Sequence, residues 1–201
     1  MSNESIPFEV ACYIEEYTLY FNEQYWLLKN RYQRFLEIKE ASGSDWNTDL
    51  NTYFDMIIVQ LRALLLDDSG NKTTGLNNYT VKNILSMAEG DEYTTRVDTL
   101  LNTPFIKGVN DCGYCLVSYD CEKNIEGCTV KQDTSIRQAL KDIADKTICH
   151  YDNYYRKNAH KWEYIQLLRT KFMDDDYEYN LDFVMNYLFD LLKDGIRFEY
   201  H

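Results

Sequence analysis

Lys141-Asp142-Ile143-Ala144-Asp145-Lys146-Thr147-Ile148-Cys149-His150-Tyr151-Asp152 reads as one amphipathic stretch, and its period sets the fold class. Ile136, Leu140, Ile143, Thr147 and Tyr151 recur at spacings of three and four, so they share one face of a helix. Asp142, Lys146 and His150 follow one another at i, i+4 and stack as a polar row beside that apolar stripe. The row ends on a histidine, whose proton equilibrium lies close to neutral pH. A polar row edging a buried face suits either chemistry or a protein interface.

Working outward, Ser135 and Gln138 have the spacing of a capping box, which starts this helix near Asp133 and lets it reach at least Tyr151. Upstream, Val10, Ile14, Tyr17, Phe21, Tyr25, Leu28, Tyr32 and Phe35 keep a helical period from about Phe8 to Glu40. At 1.5 Å per residue that is roughly 45 to 50 Å of helix. Its aromatic stripe fits core or dimer packing, because the opposite face is charged. Ala41-Ser42-Gly43-Ser44 stops it, with Ser44 or Asp45 as the next N-cap. The second helix carries Trp46, Leu50, Tyr53, Phe54, Ile57, Leu61 and Leu64. Its apolar runs suit a central helix covered on more than one side. Asp67-Asp68-Ser69-Gly70 ends it.

A short helix follows with Val81, Ile84, Leu85 and Ala88. Another holds Tyr93, Val97, Leu100 and Leu101 and is limited by Pro104. Residues 105–131 have no clean helical period. Downstream, Tyr164, Ile165, Leu168 and Phe172 mark a further helix, interrupted by Asp174-Asp175-Asp176. Asn180 caps a last one bearing Leu181, Val184, Leu188 and Leu191, with Gly195 where a C′ glycine belongs. The expectation is an all-α, up-and-down helical bundle of five to seven helices, one domain over residues 1–201, with an irregular cysteine-containing insert at 105–131.

Composition agrees. Of 201 residues 45% are apolar, while Gly numbers 8 and Pro only 2, too few for the many tight turns of an all-β chain. Lys and Arg number 21 against 33 Asp and Glu, a formal charge of −12. So acidic a chain is repelled by phosphate overall, which argues against broad nucleic-acid binding and against DNA as a partner. The basic residues from Arg156 to Lys171 (Arg156, Lys157, Lys161, Arg169, Lys171) read first as solvated helix-face charges and second as a local basic cleft. The opening Met-Ser-Asn-Glu-Ser lacks the basic region and apolar run of a signal peptide, and no stretch of about 18 apolar residues exists. The expectation is a soluble, cytoplasmic protein whose six cysteines are thiols or metal ligands.

Cys112-x2-Cys115-x5-Cys121-x6-Cys128 lies in the insert. The first pair has zinc-knuckle spacing, and the second is wider than usual. A closed structural zinc and free thiols both remain open readings. His160 and His201 show no ligand spacing with carboxylates. Cys149 adjoins His150 without the base and acidic orienter that a thiol nucleophile needs.

With these residues in place, the arrangement resembles the HEPN superfamily, in its abortive-infection U-type branch. The likeness rests on the long N-terminal helix pair. It rests also on Ala63-Leu64-Leu65-Leu66-Asp67-Asp68-Ser69-Gly70, followed by Leu76 and the short helix from Val81 to Met87. The third feature is the segment from Ala144 to Asp152, which looks like that family's Arg-Asp-Lys-x-x-x-His motif with an acidic residue soon after the histidine. The resemblance spans Phe8 to Gly195. It departs at one point: Ala144 stands where the family has its arginine.

What the resemblance implies is a metal-independent ribonuclease acting as a homodimer, in a phage-defence or toxin–antitoxin setting, with no cofactor in the chemistry. His150 would act as general base or acid on the ribose 2′-OH or the leaving oxygen. The family's arginine steadies the charged phosphorane, and Asp145 would orient it. Lys146 is the only cation left in the motif, a point charge rather than a bidentate clamp. Losing one such donor costs about 10²–10³ in rate, so the expectation is weak or lost catalysis. Two other readings stand beside it. One is a non-enzymatic module in which the polar row and the tyrosine-rich faces bind a partner protein. The other is an RNA binder without catalysis, which needs a basic groove. His150 itself also reads as a structural histidine bonded to Asp142 or Asp152.

Overall fold

The computed structural model describes residues 8–42, 47–66, 80–81, 91–107, 133–145 and 159–192, side chains excepted at 8–14, 17, 18, 91–93 and 159–163. Among the described residues there are six helices and one two-stranded pairing: α1 (Phe8–Ser42), α2 (Thr48–Leu66), α3 (Asp91–Asn102), β1 (Pro104–Ile106), β2 (Thr134–Ser135), α4 (Ile136–Ile143), α5 (Ala159–Met173) and α6 (Leu181–Leu192). The described residues are therefore mostly helical, as the period and the scarcity of Pro and Gly foretell. It divides into two compact units, one of residues 1–97 with 189–201, the other of residues 98–188.

The first unit is built on the α1–α2 pair. Phe21, Tyr25, Leu28, Tyr32, Phe35 and Ile38 of α1 are buried, which is the expected stripe carried one step further. From α2 they meet Phe54, Ile57, Ile58, Leu61, Leu64 and Leu65. Phe35 packs on Phe54 at 6.4 Å, and Tyr25 meets Phe189 edge-on at 5.6 Å. Gln60 is buried among them and satisfied on every side. Its amide nitrogen donates to the Gln24 carbonyl at 2.8 Å and the Gln24 side-chain oxygen at 3.1 Å. Its own oxygen accepts from Arg31 at 2.8 Å. Residue 54 faces 35 while residue 60 faces 24 and 31, so the two helices run antiparallel. The coverage of α2 is broad but incomplete, because Met56 stays 42% exposed.

The turn between them differs from expectation at its cap. Asn47, rather than Ser44 or Asp45, caps α2: its side-chain oxygen accepts from the Asp49 and Leu50 amides at 2.8 and 3.2 Å. Its amide nitrogen donates to the Ser42 hydroxyl at 2.6 Å, and that hydroxyl donates to the Ile38 carbonyl at 2.7 Å. One asparagine thus closes the first helix and opens the second, which a serine or aspartate cannot do alone. Ser44, Asp45 and Trp46 lie outside the described residues, as do Ile84, Leu85 and Ala88.

In the second unit the ends of the insert are joined. β1 and β2 pair antiparallel, Pro104 with Ser135 and Ile106 with Thr134, with a register shift between the two pairs. Two steps on β1 answer one on β2, the signature of a bulge at Phe105. The bulge explains why Phe105 and Ile106 are both buried, where a flat strand would alternate. Phe105 stacks on Phe172 of α5 at 4.2 Å and meets Tyr177 edge-on at 5.5 Å. The Tyr177 hydroxyl donates to the Phe105 carbonyl. Pro104 ends α3 as expected, but Phe105 and Ile106 are strand rather than irregular chain. Residues 108–132, with all four insert cysteines, lie outside the described residues.

Both expected caps in this unit are in place. The Ser135 hydroxyl accepts from the Gln138 amide at 3.3 Å. The Asn180 side chain accepts from the Phe183 amide at 3.0 Å and donates to the carbonyls of Asp174 and Asp175 at 3.1 and 3.4 Å. Asp174 folds back onto the Asp176 amide at 3.1 Å, so the acidic triplet does break the chain after Met173. α5 corrects one expectation. Arg169 is only 7% exposed, so it is no solvated face charge. Ile165, Leu167, Leu168 and Phe172 are buried around it, a span wider than half the helix circumference. Lys171 lies over the Tyr177 ring at 4.3 Å. Arg156, Lys157 and the Lys161 side chain lie outside the described residues.

Candidate functional site

Of the expected polar row Asp142, Lys146 and His150, Asp142 alone lies among the described residues. Ile136, Ala139, Leu140 and Ile143 are buried on one face. Ser135, Gln138 and Asp142 line the other at i, i+3, i+7, the spacing of one helix face. The Gln138 amide donates to the Asp142 carboxylate at 2.8 Å instead of reaching back to Ser135, so only half of the capping box forms.

Tyr164 of α5 completes the row. Its hydroxyl lies 3.0 Å from the Thr134 hydroxyl, which is itself buried. Burial holds the Tyr164 phenol above its usual range; the Thr134 hydrogen bond pulls it back, and the neighbouring Asp142 carboxylate pushes it further up. Asp142 therefore already has two partners within the chain.

Arg137 extends to Asp98 at 3.4 Å, both about one-third exposed. An ion pair of that length and exposure contributes little stability, but it occupies the one arginine of α4.

At Ala144 and Asp145 the helix passes into a π turn, with Ala144 still in right-handed helical geometry at φ −61°, ψ −50°. Such widened turns are frequent where a helix redirects functional side chains. Ala144 has no exposed surface. Position 144, where the resemblance would expect an arginine, thus faces the packed interior, where an unpaired guanidinium is strongly disfavoured. Asp145 is half-buried. Lys146 and His150 lie outside the described residues, so of the three residues that the resemblance assigns to catalysis only Asp145 is placed.

Cys112, Cys115, Cys121 and Cys128 are likewise outside. Among the described residues no group of three His, Cys, Asp or Glu side chains could hold a metal ion. No described helix is long and apolar enough to cross a membrane.

Sequence reasoning missed Tyr164 and Thr134 as members of this cluster. Tyr164 was legible as a core-facing position, but its partner was hidden because nothing in the local pattern announces the strand that carries Thr134. Comparison with known protein families, curated proteins and solved structures found no match.

Proposed function

We propose that this chain is a HEPN-like helical protein of a phage-defence or toxin–antitoxin setting, acting as a dimer, in which metal-independent RNA cleavage is weak or lost. The observation that carries the weak-or-lost part is the burial of Ala144, 0% exposed on the inner face of α4. A residue there cannot steady a phosphorane without leaving the core. Arg137, the nearest arginine on the helix, is paired with Asp98. Any remaining chemistry falls to His150 with Lys146, the lysine supplying charge without bidentate geometry. Asp145 would hold the lysine or the histidine in place rather than an arginine. Cys112, Cys115, Cys121 and Cys128 stand outside the chemistry in this reading, as free thiols or as ligands of a closed structural zinc.

The test is cleavage of single-stranded RNA in the presence of a chelator by wild type and His150→Ala. Slow cleavage by the wild type that disappears in the variant supports a residual ribonuclease. Background activity in both retires the enzyme and leaves the second reading, a non-enzymatic interaction module. That reading draws on a different observation: Leu19, Tyr20, Trp26 and Leu27 of α1 stand exposed on the side away from its core.

A further inference from the structure

We propose that the Tyr179–Phe183 ring pair at the start of α6 is a binding site for an arginine side chain presented by a partner protein. The site lies apart from the chemistry assigned to His150 and does not depend on it.

Four aromatic side chains follow one another along this part of the second unit. Tyr177 meets Tyr179 at 6.5 Å, Tyr179 meets Phe183 at 5.3 Å, and Phe183 meets Tyr187 at 6.2 Å. All four are half-buried. The middle contact is not one that the start of the helix demands. Asn180 is the N-cap, so a hydrophobic staple would set Tyr179 against Val184. The ring it meets is Phe183. That residue stands roughly 150° round the helix from the middle of the buried stripe of Leu181, Val184, Met185 and Leu188. A phenylalanine so far from the stripe serves something other than the core.

The row already holds one cation. The Lys171 ammonium lies 4.3 Å from the centre of the Tyr177 ring. Among the described residues no cation stands over Tyr179 or Phe183. Their planes are 79° apart, so the two rings form a corner in which both can attract the same positive charge.

The fixed charge around that corner has one sign. From Asp174 to Leu188 the chain carries Asp174, Asp175, Asp176, Glu178 and Asp182 and no Lys or Arg. The Tyr179 hydroxyl donates to the Glu178 carboxylate, which holds the phenol above its ordinary range and sets an anion beside the ring. A carboxylate has further lone pairs to offer a second donor. The corner thus complements a cation, and its chemistry selects which. A quaternary ammonium has no N–H to give a carboxylate, and a lysine ammonium is strongly hydrated. A guanidinium lies flat on a ring while donating from its edge. The row continues on both sides of the corner, a strip rather than an enclosed pocket, which suits a side chain carried on a polypeptide. A nucleic-acid backbone is repelled by the same carboxylates.

The site is tested by nuclear magnetic resonance titration of the full chain with N-acetyl tetra-arginine amide, alongside the tetra-lysine and tetra-citrulline peptides and tetramethylammonium. Tetra-arginine shifts the Tyr179 and Phe183 resonances. Tetra-lysine binds about threefold to tenfold more weakly, and tetra-citrulline, which keeps the shape and loses the charge, leaves them unmoved. Tyr179→Leu and Phe183→Leu preserve net charge and apolar bulk, and each weakens tetra-arginine about fivefold. Glu178→Gln weakens it as well.

Tetra-arginine and tetra-lysine binding alike on the wild type overturns the inference, because the acidity of the chain alone then attracts them. Tetra-citrulline binding as well as tetra-arginine overturns it too, leaving a surface that needs no cation. So does tetramethylammonium shifting the two rings as strongly as tetra-arginine at equal charge, which marks an ammonium site instead. These comparisons use the unaltered protein and stand whether or not a variant folds. A Phe183→Leu variant with wild-type helix content and undiminished affinity likewise removes the site.

Discussion

The hydroxyls of Thr134 and Tyr164 lie 3.0 Å apart, tying the strand at the root of α4 to α5 through a pair of side chains thirty residues apart in the chain. Thr134 is 6% exposed, so few alternative partners can reach it. Tyr164→Phe should therefore lower unfolding stability by about 1–2 kcal/mol, the cost of leaving a buried hydroxyl unmet. Denaturant titration against wild type measures it.

The same tyrosine predicts an alkaline effect. Its phenol is held above the ordinary value of 10 by burial first, with Asp142 adding to the rise. The unfolded chain therefore gives up this proton at lower pH than the folded one. Stability from Tyr164 is intact below about pH 10 and is lost as pH climbs from there through the folded value. The gap between wild type and Tyr164→Phe should narrow on that climb. Asp142→Asn should shift the Tyr164 titration downward, read as a difference phenolate spectrum.

Restoring the arginine of the resembling family should do harm rather than good. Ala144→Arg forces a guanidinium into a site with no exposed surface. The expected outcome is a loss of several kcal/mol or failure to fold. RNA cleavage should not recover. A well-folded Ala144→Arg variant with increased cleavage would show that α4 can turn this position outward.

Gln60 is the polar lock of the α1–α2 pair, bonded to Gln24 twice and to Arg31 once. Gln60→Ala removes these bonds and leaves a cavity beside a half-buried guanidinium. A loss of about 2–4 kcal/mol is expected. Arg31→Ala, which leaves the Gln24 bonds in place, should cost less.

The two confirmed caps offer a graded comparison. Ser135→Ala removes one bond to the Gln138 amide and should cost about 1 kcal/mol. Asn180→Ala also removes donors to the carbonyls of Asp174 and Asp175, and its side chain is buried, so about 2 kcal/mol is expected. Thermal unfolding of the two variants should keep that order.

The helices were legible where burial is one-sided. The α1 stripe from Phe21 to Phe35, the stop at Asp174 and the caps at Ser135 and Asn180 all follow from local period and local hydrogen-bonding chemistry. What stayed hidden depends on distant partners. The pairing of Pro104–Ile106 with Thr134–Ser135 joins two short segments across the insert, and neither has enough length to show a strand period. Arg169 looks like a surface charge because a sequence window cannot tell how many neighbours surround α5. Ala144 could be read as the missing arginine, but its inward aspect could not. The outer apolar residues of α1 were overshadowed by the stronger inner stripe of the same helix. Of the expected site residues Asp145, Lys146 and His150, Asp145 is placed on a π turn and the other two lie beyond the described residues.

The β1–β2 clasp bears on how this protein tolerates change. Because Ile106 pairs with Thr134, the chain departs and returns at a single point. Doubling or halving such an excursion alters closure entropy by only about 0.6 kcal/mol. The pairing of residues 106 and 134 therefore tolerates a change in the length of chain between them at little entropic cost.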